Sequence, residues 1–440
     1  MYEKTTIKRP CAWFLRCLAS VFLLGVTLTA CVSQPFRSPN AQEVDWQKQF
    51  LSAAQEGKTA EAIEALMELA ERHPDALAAL GRQLDTARTV VLTVLSAEPA
   101  AKYRAMTALF DRHWLLPNRF QPADLWMELL PMEIEKGNIR RAAEVAARIQ
   151  EPPDILLIRV DKRFDPLVRA YPRQFDLTAA TDRFLAFLSD LCRKFPRTLA
   201  HRISLVYTLL DAGRFEEAIA TADEVLALSP DLQTAILNYD DADAWFNWLL
   251  DYRASALEAL GIWHDAEKYR KRAAELPEEG RPNVSNAINL AGLYSRLGRS
   301  REALAALGDM ASPGEGLSRY GRMQVDLILL QTALTEGDES RAKEVLERMR
   351  QSQAASLRTF EEALLVANQM DEAAMLLIRR LGDPKTRTSA LLDVQAYLPG
   401  GVSPYDRMLD ERWAQLRTRQ DVIAAVEKVG RIESVPRPRR

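Results

Sequence analysis

Leu199–Leu232 reads LAHRISLVYTLLDAGRFEEAIATADEVLALSPDL. Leu205 lies in its first half, Gly213-Arg214-Phe215-Glu216-Glu217-Ala218 follows, and Pro230 closes it. Glycine at a turn takes positive φ without a Cβ clash. Alanine five residues later lets two helices approach closely, and leucines and tyrosines at three- and four-residue spacing form a buried stripe. Proline ends the second helix because it cannot donate the next hydrogen bond. The frame returns from about Asn247 (Ala254, Gly261, Ala266, Ala273, Pro277), from Val284 (Leu290, Ala291, Tyr294, Gly298, Ala303, Leu307) and from Met323 (Leu329, Gly337, Ala342, Leu346). Earlier copies run through Trp46, Gly57, Ala62, Leu66, Leu69 and Pro74, and through Leu129, Gly137, Ala142, Ala146 and Pro153. A weaker copy at Leu357–Pro384 lacks the turn glycine and places Met370-Asp371-Glu372-Ala373 at the start of its second helix.

These segments resemble the tetratricopeptide repeat, a helix–turn–helix unit that buries its apolar face only by stacking on neighbours. The resemblance implies an all-α helical-repeat solenoid, with helix pairs forming a right-handed superhelix. Residues 46–198 read as an N-terminal helical region with degenerate repeats, interrupted by Pro99, Pro117, Pro122, Pro166, Pro172 and Pro196. Residues 199–384 form the regular array, 385–432 capping helices and 433–440 a disordered basic tail. Val160–Leu167 is similar to Leu409–Leu416: each has Asp, then Arg, an aromatic, and Leu three residues on. Asp161 and Asp410 are expected to N-cap short helices whose aromatic and leucine share a face and cover an end of the stack, the alternative being a binding role for Phe164 or Trp413.

The first thirty residues have a different character. Lys4, Lys8, Arg9 and Arg16 stand against the single acid Glu3, and an apolar run from Cys17 to Ala30 follows. That is a charged start and a short hydrophobic stretch, the layout of a secretory signal. The run falls short of the roughly 20 apolar residues of a spanning helix. Leu28-Thr29-Ala30-Cys31 resembles the lipobox of bacterial lipoproteins. The resemblance implies a signal peptide over 1–30, Cys31 as an acylated mature N-terminus, and a lipidated tether over 31–45. Val32 in place of Asp favours the outer membrane, with the chain facing the periplasm.

Removing residues 1–30, with four bases and one acid, leaves 54 bases and 60 acids, a net charge of −6. Such a balance gives no support to a nucleic-acid partner. Of four cysteines only Cys192 then remains thiol-bearing, so no intramolecular disulfide is available; beside Phe184-Leu185-Ala186-Phe187-Leu188 it reads as a small buried hydrophobe.

No enzymatic motif in the sequence is complete. Glu56-Gly57-Lys58-Thr59 has Ser52 where a phosphate loop needs glycine, and its context is a repeat turn. Gly401-Val402-Ser403-Pro404-Tyr405 lacks the second glycine of a nucleophile elbow. His73, His113, His201 and His264 show no metal-ligand spacing. No catalytic residue, metal, cofactor or small-molecule substrate is assigned.

The expectation is a non-enzymatic scaffold that binds a protein on the concave face of the solenoid, in an envelope assembly, secretion or export complex. The alternative is an accessory regulator of a cell-wall enzyme, or a glycan-binding lipoprotein. The resemblance places Tyr207, Asp211, Trp248, Asp251, Ser255, Glu258 and Arg296 on that face, with Ser295 and Gln331 farther along. Tyr207 and Trp248 are the expected aromatic anchors, outside the packing stripe. Exposed on that face, Asp211, Asp251 and Glu258 are expected to make binding salt-sensitive if the partner is basic. Asn238–Phe246, with three aspartates beside aromatics, lengthens a link between two repeats. Cys31→Ser should abolish palmitate incorporation and release the protein from membranes. Label that survives the substitution would exclude the anchor.

Overall fold

A computed structural model describes residues 41–56, 58–72, 99–111, 123–278, 280–312, 316–399 and 402–438. The proposed signal, the lipobox and Cys31 lie outside these residues. Contacts divide the chain into two units.

The smaller unit covers described residues up to Arg159 and then Arg163–Ala180. It opens with the helix pair α1 (Ala41–Gln55) and α2 (Thr59–Arg72), followed by α3 (Pro99–Asp111). Helix α1 begins inside the stretch assigned to the tether, which therefore reaches at most to residue 40. Ala62, Ala65 and Leu69 on α2 are fully buried, as the repeat frame requires. Helices α4 (Ala123–Glu135) and α5 (Ile139–Ala146) form a second hairpin around Gly137, whose φ is +76°. Arg141 and Arg148 lie over the ring of Phe110, whose edge meets Trp126. Helix α6 (Pro152–Val160) leads out of this hairpin, and α7 (Asp165–Ala170) follows a short 3₁₀ turn.

The larger unit comprises Val160–Lys162 and the chain from Thr181 onward. Helix α8 (Leu177–Lys194) leads into α9 (Leu199–Asp211) and α10 (Phe215–Leu228), the pair from which the sequence reading starts. A short α11 (Leu232–Asn238) then precedes α12 (Ala242–Ala259) and α13 (Trp263–Glu275). The link Asn238–Phe246 is thus largely helical, and its acids are structural. Asp240 pairs with Arg197 at 2.6 Å. Asp241 accepts from the backbone N–H groups of Leu199 (2.7 Å) and Ala200 (3.0 Å), capping α9 from outside its own repeat. Phe246 is buried and Trp245 half-buried.

The pairs continue as α14 (Val284–Arg296) with α15 (Ser300–Leu307), α16 (Arg319–Glu336) with α17 (Glu339–Gln351), and α18 (Leu357–Val366) with α19 (Met370–Gly382). Gly213, Gly261, Gly298 and Gly337 all turn with φ between +71° and +76°. In the copy that lacks glycine, Asn368 adopts φ +58° and makes the same turn; asparagine tolerates that region better than most side chains. Ala218, Ala266, Ala303 and Ala373, on four of the five second helices, are fully buried, and Ala342 on α17 is nearly so.

Helix α20 (Arg387–Asp393), strand β1 (Ala396–Leu398), α21 (Pro404–Thr418), α22 (Gln420–Val429) and strand β2 (Ser434–Pro438) complete the unit. Strand β2 pairs in parallel with β1, so the expected disordered tail is ordered as far as Pro438. Val435 is fully buried there, which anchors the segment despite its prolines and arginines. Asp410 lies inside α21, which is capped instead by Ser403 and Asp406 in a reciprocal capping box. Asp161 forms an isolated antiparallel bridge with Gly430. The two similar segments therefore differ in backbone, yet each buries its aromatic and leucine: Phe164 with Leu167, Trp413 with Leu416. That burial withdraws both aromatics from any surface role.

Gly430 sits where two backbones meet. Arg431 N–H donates to Val160 O at 2.9 Å, and Lys162 Nζ donates to Glu427 O. A Cβ at position 430 would collide with the Val160 carbonyl and stand 2.6 Å from Leu391 Cδ2. Gly430→Ala should therefore destabilise the larger unit by about 1–3 kcal/mol, as overpacking does. Chemical denaturation checks this, and an unchanged midpoint would show that the contact yields freely.

Candidate partner-binding face

The first helices of successive pairs, α9, α12, α14, α16 and α18, pack side by side in the larger unit. They share one face, where the sequence places the partner-binding residues.

At the α9–α12 end the face is aromatic. Tyr207 meets Tyr252 nearly edge-on at 5.3 Å between ring centroids, and Trp248 leans on Tyr252 at 6.1 Å. Tyr252 is buried, whereas Tyr207 and Trp248 are half-buried. Both half-buried rings also pack against the apolar core of the first two repeats. Their expected independence from the packing stripe is thus corrected: each has one side in the core and another toward solvent.

Farther along, four expected residues meet around one that the sequence reading missed. Arg270, on α13, is 6% exposed. Its Nε donates to Glu258 Oε1 at 2.7 Å, Nη1 to Asp251, and Nη2 to Ser255 Oγ at 3.0 Å. Arg296 donates to the other oxygen of Glu258. Asn289 Nδ2 lies 3.2 Å from both oxygens of Asp251. Two acids thus face two guanidinium groups in a closed network. The expectation of exposed acids that bind a basic partner is overturned here. Asp251 and Glu258 are buried and internally neutralised, and Asp211 is buried as well. Burial alone would raise the Glu258 carboxyl, but Arg270 and Arg296 outweigh it and hold the group below its usual range. The signal for Arg270 was present. It follows Ala266 by four residues and precedes Ala273 by three, so it stands in the inward stripe of a helix.

Across α14, α16 and α18 the face is already occupied. Ser295 Oγ donates to Gln331 Oε1 at 2.6 Å, Gln331 Nε2 donates to the Tyr405 hydroxyl at 2.7 Å, and that hydroxyl donates to Glu362 Oε1 at 2.8 Å. Tyr405 belongs to α21, which folds back over its own repeats. Burial, and then the Glu362 charge, push its hydroxyl well above the usual tyrosine range. Two turns on, Arg412 donates to the carbonyls of Leu365 and Val366, capping the end of α18. Ser295 and Gln331, expected on an open surface, are buried beneath this helix.

Elsewhere, burial raises the Cys192 thiol to about 11, so it is a poor nucleophile. Burial lowers the His201 imidazole, whose ring lies 5.5 Å from Phe195. His264 is exposed. Among the described residues no group of three or more His, Cys, Asp or Glu side chains could hold a metal ion, and no helix is long and apolar enough to cross a membrane.

No protein family and no curated protein matches the chain. Among solved structures it is similar to a Rap protein complexed with competence and sporulation factor, at 12% identity and a TM-score of 0.32, over 86% of this chain and 100% of that one. It is also similar to a circular tandem repeat protein with a novel repeat topology, at 15% identity and a TM-score of 0.16, over 88% of this chain and 76% of that one. These likenesses are loose, and the assignment as an all-α helical-repeat solenoid rests on the stacked helix pairs themselves.

Arg270→Met should cost about 3 kcal/mol or more, because it leaves the buried Asp251 without its cation and Glu258 with Arg296 alone. Replacing Asp251, Glu258 and Arg270 together by apolar residues should recover most of the loss. The pH dependence follows from the lowered Glu258 group. In the wild type its contribution is present above its unfolded value of 4.5 and is lost as pH falls below that. Arg270→Met should flatten or reverse this slope. Denaturation midpoints between pH 3 and pH 7 test both statements, and parallel curves for wild type and variant would refute the network's role.

Proposed function

We propose that this chain is a non-enzymatic scaffold that holds a protein partner on the shared face of its first helices. In this reading it is lipidated at Cys31, lies in the cell envelope on the periplasmic side of the outer membrane, and serves an assembly, secretion or export complex. The observation that carries the binding role is the face itself. It runs from half-exposed aromatics at Tyr207 and Trp248, through a neutral polar network, to a stretch where the protein already seats a helix. Aromatic anchors beside satisfied polar groups are the composition of a protein-binding surface. The basic opening of the chain and Leu28-Thr29-Ala30-Cys31 support the anchored location.

Because the ion pairs are closed within the fold, recognition depends on the rings rather than on net charge. Capture should therefore change little with ionic strength, in contrast to steering by exposed acids. Tyr207→Leu and Trp248→Leu retain apolar bulk toward the core and remove the aromatic anchors. Together they should weaken capture of envelope proteins by about tenfold or more, since one anchor is often worth about 2 kcal/mol. Pull-downs from envelope extracts at two salt concentrations, with melting curves as a folding control, make the test. Equal recovery by wild type and a folded double variant would remove the face from consideration.

A further inference from the structure

The stretch across α14, α16 and α18 shows what it can hold, because α21 is seated there. The two halves of α21 are held differently. Trp413 and Leu416, in the second half, are buried. No residue from Pro404 to Glu411 is buried over its whole surface, although Ser403 just before is, and of these side chains the Tyr405 hydroxyl reaches into the interior. The first half is fixed by polar contacts, with the Tyr405 hydroxyl between Gln331 and Glu362. Tyr405 and Arg412 are seven residues apart, two helical turns, and so lie on one face. Arg412 meets the end of α18 through the backbone carbonyls of Leu365 and Val366, which any guanidinium can satisfy. Neither contact depends on the covalent link of α21 to the array.

We infer that this stretch is a helix-binding groove, that residues 402–412 are its displaceable resident, and that its outside partner is an amphipathic helix carrying a tyrosine with an arginine two turns later. The inference deepens the proposed scaffold role by naming the partner's chemistry. A bound competitor would reproduce the hydroxyl bridge between Gln331 and Glu362 and the cap on α18. The resident would swing away about its buried end at Trp413 and Leu416. Tethering gives the resident a high effective concentration, so an outside helix competes only where the polar latch is weak or its own affinity is high.

Hydrogen exchange on the full chain reads the latch directly. In Tyr405→Phe, which keeps the ring and removes the hydroxyl, exchange over residues 404–411 should quicken by about tenfold, while residues 413–429 and the repeats keep their wild-type rates. A labelled synthetic peptide of residues 402–419 provides the probe for the groove. The full chain carrying Tyr405→Ala should bind it at least fivefold more tightly than wild type does, and Gln331→Leu in that variant should abolish the gain. Unchanged exchange in Tyr405→Phe, or equal peptide binding by wild type and Tyr405→Ala, would make α21 a fixed cap and overturn the inference. A concentration-dependent dimer of Tyr405→Ala would give the groove to α21 of a second copy and overturn the assignment to another protein. None of these readouts uses Tyr207 or Trp248, so failure here is distinguishable from failure of the aromatic anchor.

Discussion

The larger unit depends on acids in its first helices that are neutralised by arginines in the second. Asp251 and Glu258 meet Arg270, Asp326 meets Arg348, and Glu361 meets Arg380, which also binds Asp393. Asp251, Asp326 and Glu361 are each at most 3% exposed. Helices faced with alanine and leucine pack almost equally well when shifted by a turn, because apolar contact has no direction. A buried charge makes the registers unequal. In the native one each acid has its guanidinium, and in a shifted one a charge is stranded at a cost of several kcal/mol. Small residues permit close stacking, and the ion pairs select which stacking.

The local devices were legible in the sequence because each is written in consecutive residues. Gly213, Gly261, Gly298 and Gly337 announce turns, and the alanines five residues after each announce close approach. Even the exception follows the rule, since Asn368 does what glycine does elsewhere. What escaped was the destination of polar side chains. The acids on the first helices look like surface in a helical frame, and only the facing Arg270 turns them into interior. Asp241 appears in the sequence as part of an acidic link, yet its partners are backbone groups of Leu199 and Ala200 in the preceding repeat. Periodicity within one helix says which side a residue is on, and it is silent about a charge forty residues away.

The return of α21 escaped for the same reason. Its capping box is readable at Ser403-Pro404-Tyr405-Asp406, but nothing local says that the tyrosine reaches Gln331 and Glu362. The shared face of the first helices thus divides physically into an open aromatic part and a part the protein fills itself. Charge neutrality along the middle joins them, so the face presents shape and hydrogen-bonding groups rather than an electric field.

The bridge of Asp161 to Gly430, with Arg431 N–H on the Val160 carbonyl, bears on time as well as on stability. Stacked repeats ordinarily fold by short-range contacts, one pair templating the next, and so they fold fast. This bridge joins the first residues of the unit to nearly its last. A chain emerging from the ribosome can stack its helix pairs in order, yet the unit stays unlatched until residue 431 has emerged. Chains that stop short of that point, through premature termination or proteolysis of the end, would carry an almost complete array with its two ends unjoined. Loss of Gly430 and Arg431 thereby leaves the two ends of the whole unit unjoined.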